Sequence, residues 1–80
     1  MDPILGQIRL FAFDFAPKGW MPCNGATLQI REYTAVFSLI GAVHGGDGAS
    51  TFALPNLKGK EPIAGFLYCI CMEGVFPQRP

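Results

Sequence analysis

The stretch that decides the fold is FLYCICM, residues 66–72. It is the longest apolar run without glycine, and both of its faces are apolar when it is read as a strand, since successive side chains point to opposite sides. Such a strand needs a cover on each face. We therefore predict either the central strand of the domain or a contact between copies of the chain, and we favour the contact. The predicted interface residues are Phe66, Tyr68, Cys69, Ile70, Cys71 and Met72.

The size and composition of the chain make it difficult for one copy to bury all of its apolar residues. Its 80 residues allow one domain, residues 1–80, and half of them are hydrophobic. A chain this short buries only about 60% of the surface that its unfolded form exposes. Small proteins whose core is too limited for stability are stabilised by disulfides, a metal or partner subunits, and we expect partner subunits here. Because six basic residues balance six acidic ones, we expect no binding of nucleic acid.

Other classes of protein are disfavoured by the same composition. The apolar run is far shorter than the roughly 20 residues of a membrane span, and the N-terminus lacks the positive region of a signal peptide. We therefore expect a protein made in a cytoplasm, without membrane insertion. Three cysteines are an odd number, which argues against a disulfide framework. One histidine argues against most metals, so we predict no metal and no cofactor.

The first third of the chain predicts short strands joined by turns. Residues 7–13 alternate in polarity and predict a strand. Residues 16–19, Ala-Pro-Lys-Gly, predict a type I turn. Residues 20–23 predict a short strand that must lie at an edge or a bulge, because Pro22 cannot donate a hydrogen bond to a ladder. The Asn-Gly pair at 24–25 predicts a hairpin that returns along the next three residues.

The middle of the chain predicts one helix followed by a loop. Apolar residues recur at helical spacing between 31 and 40, and Gly41 provides a stop, although no capping residue precedes the segment. Three glycines within residues 45–48 predict a loop, and residues 51–55 predict an extended stretch. Short strands and one helix together predict a small α+β fold.

Three ordered stretches resemble the phage tail collar domain, in the branch known as microcystin-dependent proteins. They are GQIRLFA, FAPKGW and CNG between 6 and 25; AVFSLIG, GGDG and TFALPNLKG between 35 and 59; and LYCICMEGVFP at 67–77. The resemblance implies a mixed α+β module from the tail or tail fibre of a phage or a phage-like particle. It also implies a homotrimer or a higher oligomer, other tail proteins as partners, a place in the virion and no enzymatic activity.

The chain departs from the family pattern at several positions. Arg31 stands where the family has a capping Ser, and His44 stands where Tyr is common. Asn56 and Lys58 replace the usual Asp and Arg. Residues 63–65 alone join the two ends, where longer members insert a variable distal region. The resemblance therefore implies a folding core without the distal receptor-binding part, and the intact closing motif GVFP at 74–77 favours a natural compact form.

The glycine loop is the candidate for ligand binding. Its backbone N–H groups suit an anion, although the spacing is not that of a P-loop. The alternative, which we favour, is a tight loop in which Asp47 closes an Asx-turn. Basic residues, Arg79 among them, would add an anion site where subunits meet at an axis. The candidate ligand residues are His44, Gly45, Gly46, Asp47, Gly48, Lys58 and Lys60.

Two functions follow from these observations. The leading hypothesis is a non-enzymatic tail or tail-fibre protein that acts by homo-oligomer assembly. The alternative is a soluble oligomeric binder in the host cytoplasm, reused in phage–host conflict, which sequesters a small anionic, nucleotide-like ligand or blocks a host protein. We predict no catalytic residues, because no nucleophile, base and oxyanion donor stand together.

Overall fold

The computed structural model describes residues 3–78. Within that range the chain forms two small antiparallel sheets and one short α-helix. The α+β fold predicted from the sequence is confirmed. The elements in chain order are β1 (Ile8–Phe11), β2 (Trp20–Pro22), β3 (Thr27–Gln29), a 3-10 helix (Ile30–Glu32), α1 (Thr34–Ile40), β4 (Thr51–Ala53) and β5 (Leu67–Cys71).

The strand β5 is the centre of the larger sheet. The sheet has the order β1-β5-β2, and both neighbours are antiparallel to β5. Arg9 lies opposite Cys69 on one side, and Met21 lies opposite Ile70 on the other. The apolar run 66–72 thus contains the central strand of a sheet within one copy of the chain. Of the two alternatives predicted from the sequence, this is the one that we did not favour.

Both faces of β5 are covered within the same chain. Ile70 joins the main core, whose members are Leu5, Cys23, Val36, Phe52, Leu54 and Met72. Cys69 and Cys71 lie on the opposite face, which they share with Arg9 and Trp20 across the ladders. The three side chains at 69–71 have no exposed surface in a single copy. One chain therefore supplies both covers for this part of the strand.

Pro22 lies on an edge strand, as predicted. The N–H of Cys23 donates to the C=O of Tyr68 at 2.9 Å, so residue 22 turns its nitrogen away from β5. The preceding turn differs from the prediction. It closes at Trp20, whose N–H donates to the C=O of Pro17 at 3.0 Å, and Gly19 is its third residue with φ 85°. A positive φ at the third position is typical of a type II turn rather than type I.

The hairpin predicted at Asn24-Gly25 does not form. The strand β3 pairs with β4, with Leu28 opposite Phe52, and not with β2. Gly25 does take a positive φ of 80°, and its N–H donates to the C=O of Pro55 at 3.3 Å. The glycine therefore carries the chain from one sheet to the other instead of folding it back on β2.

The predicted helix over 31–40 is divided in two. The α-helix covers its second part and ends at Gly41, with φ 63°, where the stop was predicted. Tyr33, at φ −137° and ψ 45°, separates it from the 3-10 helix, and neither segment has a side-chain cap. At the start of the 3-10 helix, the N–H of Ile30 donates to the C=O of Ser50 at 3.0 Å and continues the β3–β4 ladder. No helix within residues 3–78 has the length and apolar character that crossing a bilayer requires.

Candidate functional site

The glycine loop covers the outer edge of β4. The N–H of Ala53 donates to the C=O of Gly45 at 3.1 Å, and the N–H of Gly48 donates to the C=O of Thr51 at 2.9 Å. The backbone N–H and C=O groups of Thr51 and Ala53 point away from β3. The loop thus satisfies backbone groups that an edge strand otherwise leaves open.

Two glycines allow the loop to approach β4 this closely. A Cβ atom on Gly46 would stand 2.5 Å from the Cα of Phe52 and 2.7 Å from the C=O oxygen of Thr51. A Cβ on Gly45 would stand 3.0 Å from the Cβ of Ala53. Both glycines also have positive φ, which side chains disfavour. Packing against β4 accounts for these glycines without a ligand.

Asp47 holds the other half of the loop together. Its Oδ1 accepts hydrogen bonds from the N–H groups of Ala49, Ser50 and Thr51 at 2.8, 2.8 and 2.9 Å. Its Oδ2 accepts one from the Ser50 hydroxyl at 3.0 Å. The N–H groups of Ser50, Thr51 and Ala49 hold the pKa of the Asp47 carboxyl well below its usual range. The carboxylate therefore occupies donors that an anionic ligand would need, and the Asx-turn predicted from the sequence is confirmed.

Replacing Asp47 should weaken the loop in a pH-dependent way. We expect Asp47→Ala to lower the melting temperature more than Asp47→Asn, because Asn keeps one acceptor oxygen. The folded pKa is depressed, so the carboxylate's contribution is fully present above the ordinary value of 3.8 and is lost as the pH falls below it. The free energies of unfolding of the wild type and Asp47→Asn, measured by urea titration from pH 7 to pH 2, should approach each other as the pH falls below 3.8. A difference in the free energy of unfolding that stays constant over that pH range would contradict the prediction.

The two lysines of the candidate site lie in a different turn. Lys58 and Lys60 are exposed, and their backbone N–H groups donate to the Asn56 Oδ1 (3.2 Å) and the Leu57 C=O (3.0 Å). Between residues 3 and 78 no hydrogen bond or ion pair joins either lysine to the glycine loop. His44 is also exposed, and Arg79 lies outside the described residues. A shared anion site of loop and lysines stays a prediction.

The predicted interface residues divide by burial. Cys69, Ile70, Cys71 and Met72 are buried in one copy, whereas Phe66 and Tyr68 are half-buried. Of the predicted set, these two aromatic residues retain surface that a second copy can reach. That β5 forms a contact between copies stays a prediction.

The three thiols are buried and free. Burial raises the pKa of Cys23 to about 11, with a further contribution from Cys69, and burial also raises the pKa of Cys69. Cys71 donates its S–H to the C=O of Glu73 at 3.2 Å. These are features of structural thiols rather than of nucleophiles.

The thiols should therefore react slowly until the protein unfolds. A pKa of about 11, against the ordinary thiol value of 9.0, lowers the thiolate fraction of Cys23 roughly 100-fold at pH 8. We expect iodoacetamide to label the folded chain at least about 100-fold more slowly than the chain in urea. Mass spectrometry counts the labels. Rapid labelling of Cys23 under native conditions would contradict its placement in the core.

An aromatic cluster around Trp20 lies partly on the surface. Phe11 contacts Trp20 edge-on with ring centroids 5.1 Å apart, and Phe13 stacks on Phe15 at 4.6 Å. The guanidinium of Arg9 lies 5.6 Å from the Trp20 ring. Phe15 is 62% exposed. From the sequence, Trp20 and the phenylalanines suggest either a ligand platform or a core anchor, and we favour the anchor. The alternation over 7–13 puts Phe11 and Phe13 on the face of Gln7 and Arg9. Trp20 is half-buried in the structure.

No enclosed site is present in the described part of the chain. It has no cavity large enough for a small molecule, and no three His, Cys, Asp or Glu side chains come together as metal ligands. What residues 3–78 offer to a partner is their outer surface.

Comparison with known protein families gives one match. The model of the phage tail collar domain family matches residues 6–62, which is 57 of the 80 residues. The chain belongs to the phage tail collar domain family. The matched range of the collar domain includes β1 to β4 and the glycine loop, and it ends before β5. No curated protein and no solved structure matches the chain.

Membership of the family gives this collar domain a structural role in a phage tail or tail fibre. The family is structural and is not known for enzymatic activity. The role of Asp47 and the glycines agrees with this, because in this collar domain they stabilise the fold. The finer placement in the microcystin-dependent branch stays a prediction.

Proposed function

We propose that this collar domain acts by assembling with copies of itself, as a homotrimer or a higher oligomer, within the tail or tail fibre of a virion. The family match is the observation that carries the tail role. The surface of the single chain supports self-assembly. It exposes large apolar side chains at Ile4, Ile8, Phe13, Phe15, Leu39, Val43, Ile63, Val75 and Phe76.

The amount of exposed surface supports the same proposal. One copy has 5323 Å² of accessible surface, whereas a folded monomer of this mass has about 4,700 Å². The chain also has no net charge to keep copies apart in solution. Apolar side chains on a neutral surface favour association, either with other copies or with neighbouring tail proteins.

The binder hypothesis receives less support. A small anionic ligand needs free N–H donors or a pocket, and in the described loop the N–H groups of Ala49, Ser50 and Thr51 already donate to Asp47. The thermal-shift experiment separates the two functions, because a ligand that binds the folded state raises its melting temperature. A nucleotide that shifts the melting temperature of the purified chain would favour the binder.

Mass spectrometry of purified particles tests the tail role directly. We expect the chain to be present in virions at a fixed ratio to a tail protein, and to stay with the tails when heads and tails are separated. A major capsid protein serves as the control for carry-over into the tail fraction. If the chain is abundant in the infected cell but missing from purified particles, the tail role is wrong.

A further inference from the structure

Two sheet edges of the chain are protected against pairing. The glycine loop covers β4 through the bonds to Thr51 and Ala53. The strand β2 has no free donor on its outer side, because Pro22 lacks an N–H and the N–H of Trp20 donates to Pro17. Proline and covering loops are devices by which natural proteins block edges.

The remaining edge of the larger sheet, β1, is open. Just before β1 begins, the N–H of Cys71 donates to the C=O of Gln7 at 2.8 Å. Because hydrogen-bonded pairs alternate along an antiparallel ladder, the residues bonded to β5 are Gln7, Arg9 and Phe11. The backbone groups of Ile8 and Leu10 therefore point away from β5. Among residues 3–78 nothing accepts a hydrogen bond from either N–H.

The sequence of β1 does nothing to block this edge. The strand has four residues without proline or lysine, and it is the longest edge strand of the described chain. Ile8 at its start is 41% exposed, and Phe13 just beyond its end is 37% exposed. Arg9, its one charged residue, lies over the Trp20 ring on a face of the sheet. An open, apolar edge of this kind is a template for another strand.

We propose that β1 pairs antiparallel with β1 of a second copy about a twofold axis at Leu10, which joins the two sheets into one of six strands. This inference rests on the proposed self-assembly and names one contact of the higher oligomer. A twofold axis cannot relate the subunits of a single trimer, so the contact requires an even number of copies, for example two trimers joined through β1. The blocked edge of β2 disfavours a head-to-tail arrangement of β1 on β2, and pairing of identical edges gives a closed contact.

The hydrogen-bond pattern selects the register. Outward-facing residues must face each other, so Leu10 can lie opposite Leu10, with Arg9 opposite Phe11 and Ile8 opposite Ala12. A shift to the neighbouring register on one side would place Arg9 opposite Arg9, where like charges destabilise the pair. A shift to the other side would place Phe11 opposite Phe11 and leave the remaining residues of β1 without a strand residue opposite them. The register centred on Leu10 avoids that repulsion and covers the exposed side chain of Ile8.

A cysteine at the axis tests this register. Directly opposed residues in a hydrogen-bonded pair have Cα atoms about 5.5 Å apart, which suits a disulfide. We expect Leu10→Cys to give a reducible crosslinked dimer under mild oxidation. Arg9→Cys should not crosslink, because its counterpart is displaced along the strand. The wild type is the background control, since its own thiols are buried.

A lysine at the edge provides a second test that leaves the core intact. We expect Ile8→Lys to raise the dissociation constant of the assembly at least about tenfold, because an edge lysine opposes strand pairing. Ala64→Lys is the control for the added charge, since Ala64 is exposed, lies outside the strands and is not one of the large apolar side chains that support self-assembly. Circular dichroism confirms that each variant is folded, and sedimentation gives its mass.

The outcomes separate this contact from the proposed function. If the wild type assembles but Leu10→Cys does not crosslink and Ile8→Lys assembles normally, the β1 contact is wrong and self-assembly stands. If Arg9→Cys crosslinks instead, the register is wrong. If the wild type is a single protomer, both the contact and the proposed self-assembly are wrong.

Discussion

Ile70→Asp should unfold the domain. Ile70 has no exposed surface in a single copy and joins the main core from the middle of the central strand. The substitution removes the burial of a large aliphatic side chain and places a carboxylate where no partner exists. We expect a loss of at least about 5 kcal/mol, against a total stability of roughly 4–12 kcal/mol for 80 residues.

Urea unfolding followed by Trp20 fluorescence measures this loss. Ile70→Val is the conservative control at the same site and should cost about 1 kcal/mol. Ala64→Asp is the control for adding a carboxylate, because Ala64 is exposed and is not one of the large apolar side chains that support self-assembly. A cooperative unfolding transition for Ile70→Asp at the wild-type urea midpoint would show that the central place of β5 is wrong.

Gly46→Ala should have the second-largest effect. The added Cβ would stand 2.5 Å from the Cα of Phe52, and those backbone atoms cannot move without disturbing β4. At φ 87° a side chain costs roughly 1–2 kcal/mol before any clash is counted. We expect the loop to lift from β4 and lose its two bonds to Thr51 and Ala53, with a total cost of about 3 kcal/mol or more.

A second glycine separates the clash from the backbone strain. Gly59 has the same φ of 87°, but a Cβ there would meet nothing within 4 Å. Gly59→Ala should therefore cost only the roughly 1–2 kcal/mol of the left-handed conformation. The difference between the two variants in urea unfolding is the cost of the close approach. Equal losses would mean that the loop does not pack against β4 as described.

The sequence predicted features that depend on local chemistry. A strand with two apolar faces must be covered on both sides, and β5 is. A proline restricts a strand to an edge, and Pro22 lies there. Gly41 ends the helix, and Asp47 closes its turn, because these residues need only their immediate neighbours.

Features that depend on distant parts of the chain were beyond the sequence. Asn24-Gly25 is a strong hairpin signal, but β2 pairs with β5 instead, more than 40 residues away along the chain. The helical spacing over 31–40 also does not reveal that the helix is interrupted at Tyr33 or that β3, just before it, pairs with β4. The open edge of β1 became visible only when the order of the sheet was known.

Sedimentation equilibrium of the full chain at micromolar concentration tests the central claim, self-assembly, most directly. The account predicts a folded species whose mass is a multiple of 8.7 kDa, and which dissociates on dilution or in Ile8→Lys. A well-folded species of 8.7 kDa at every concentration would contradict it. The family membership would remain, but the proposed way in which the domain works would not.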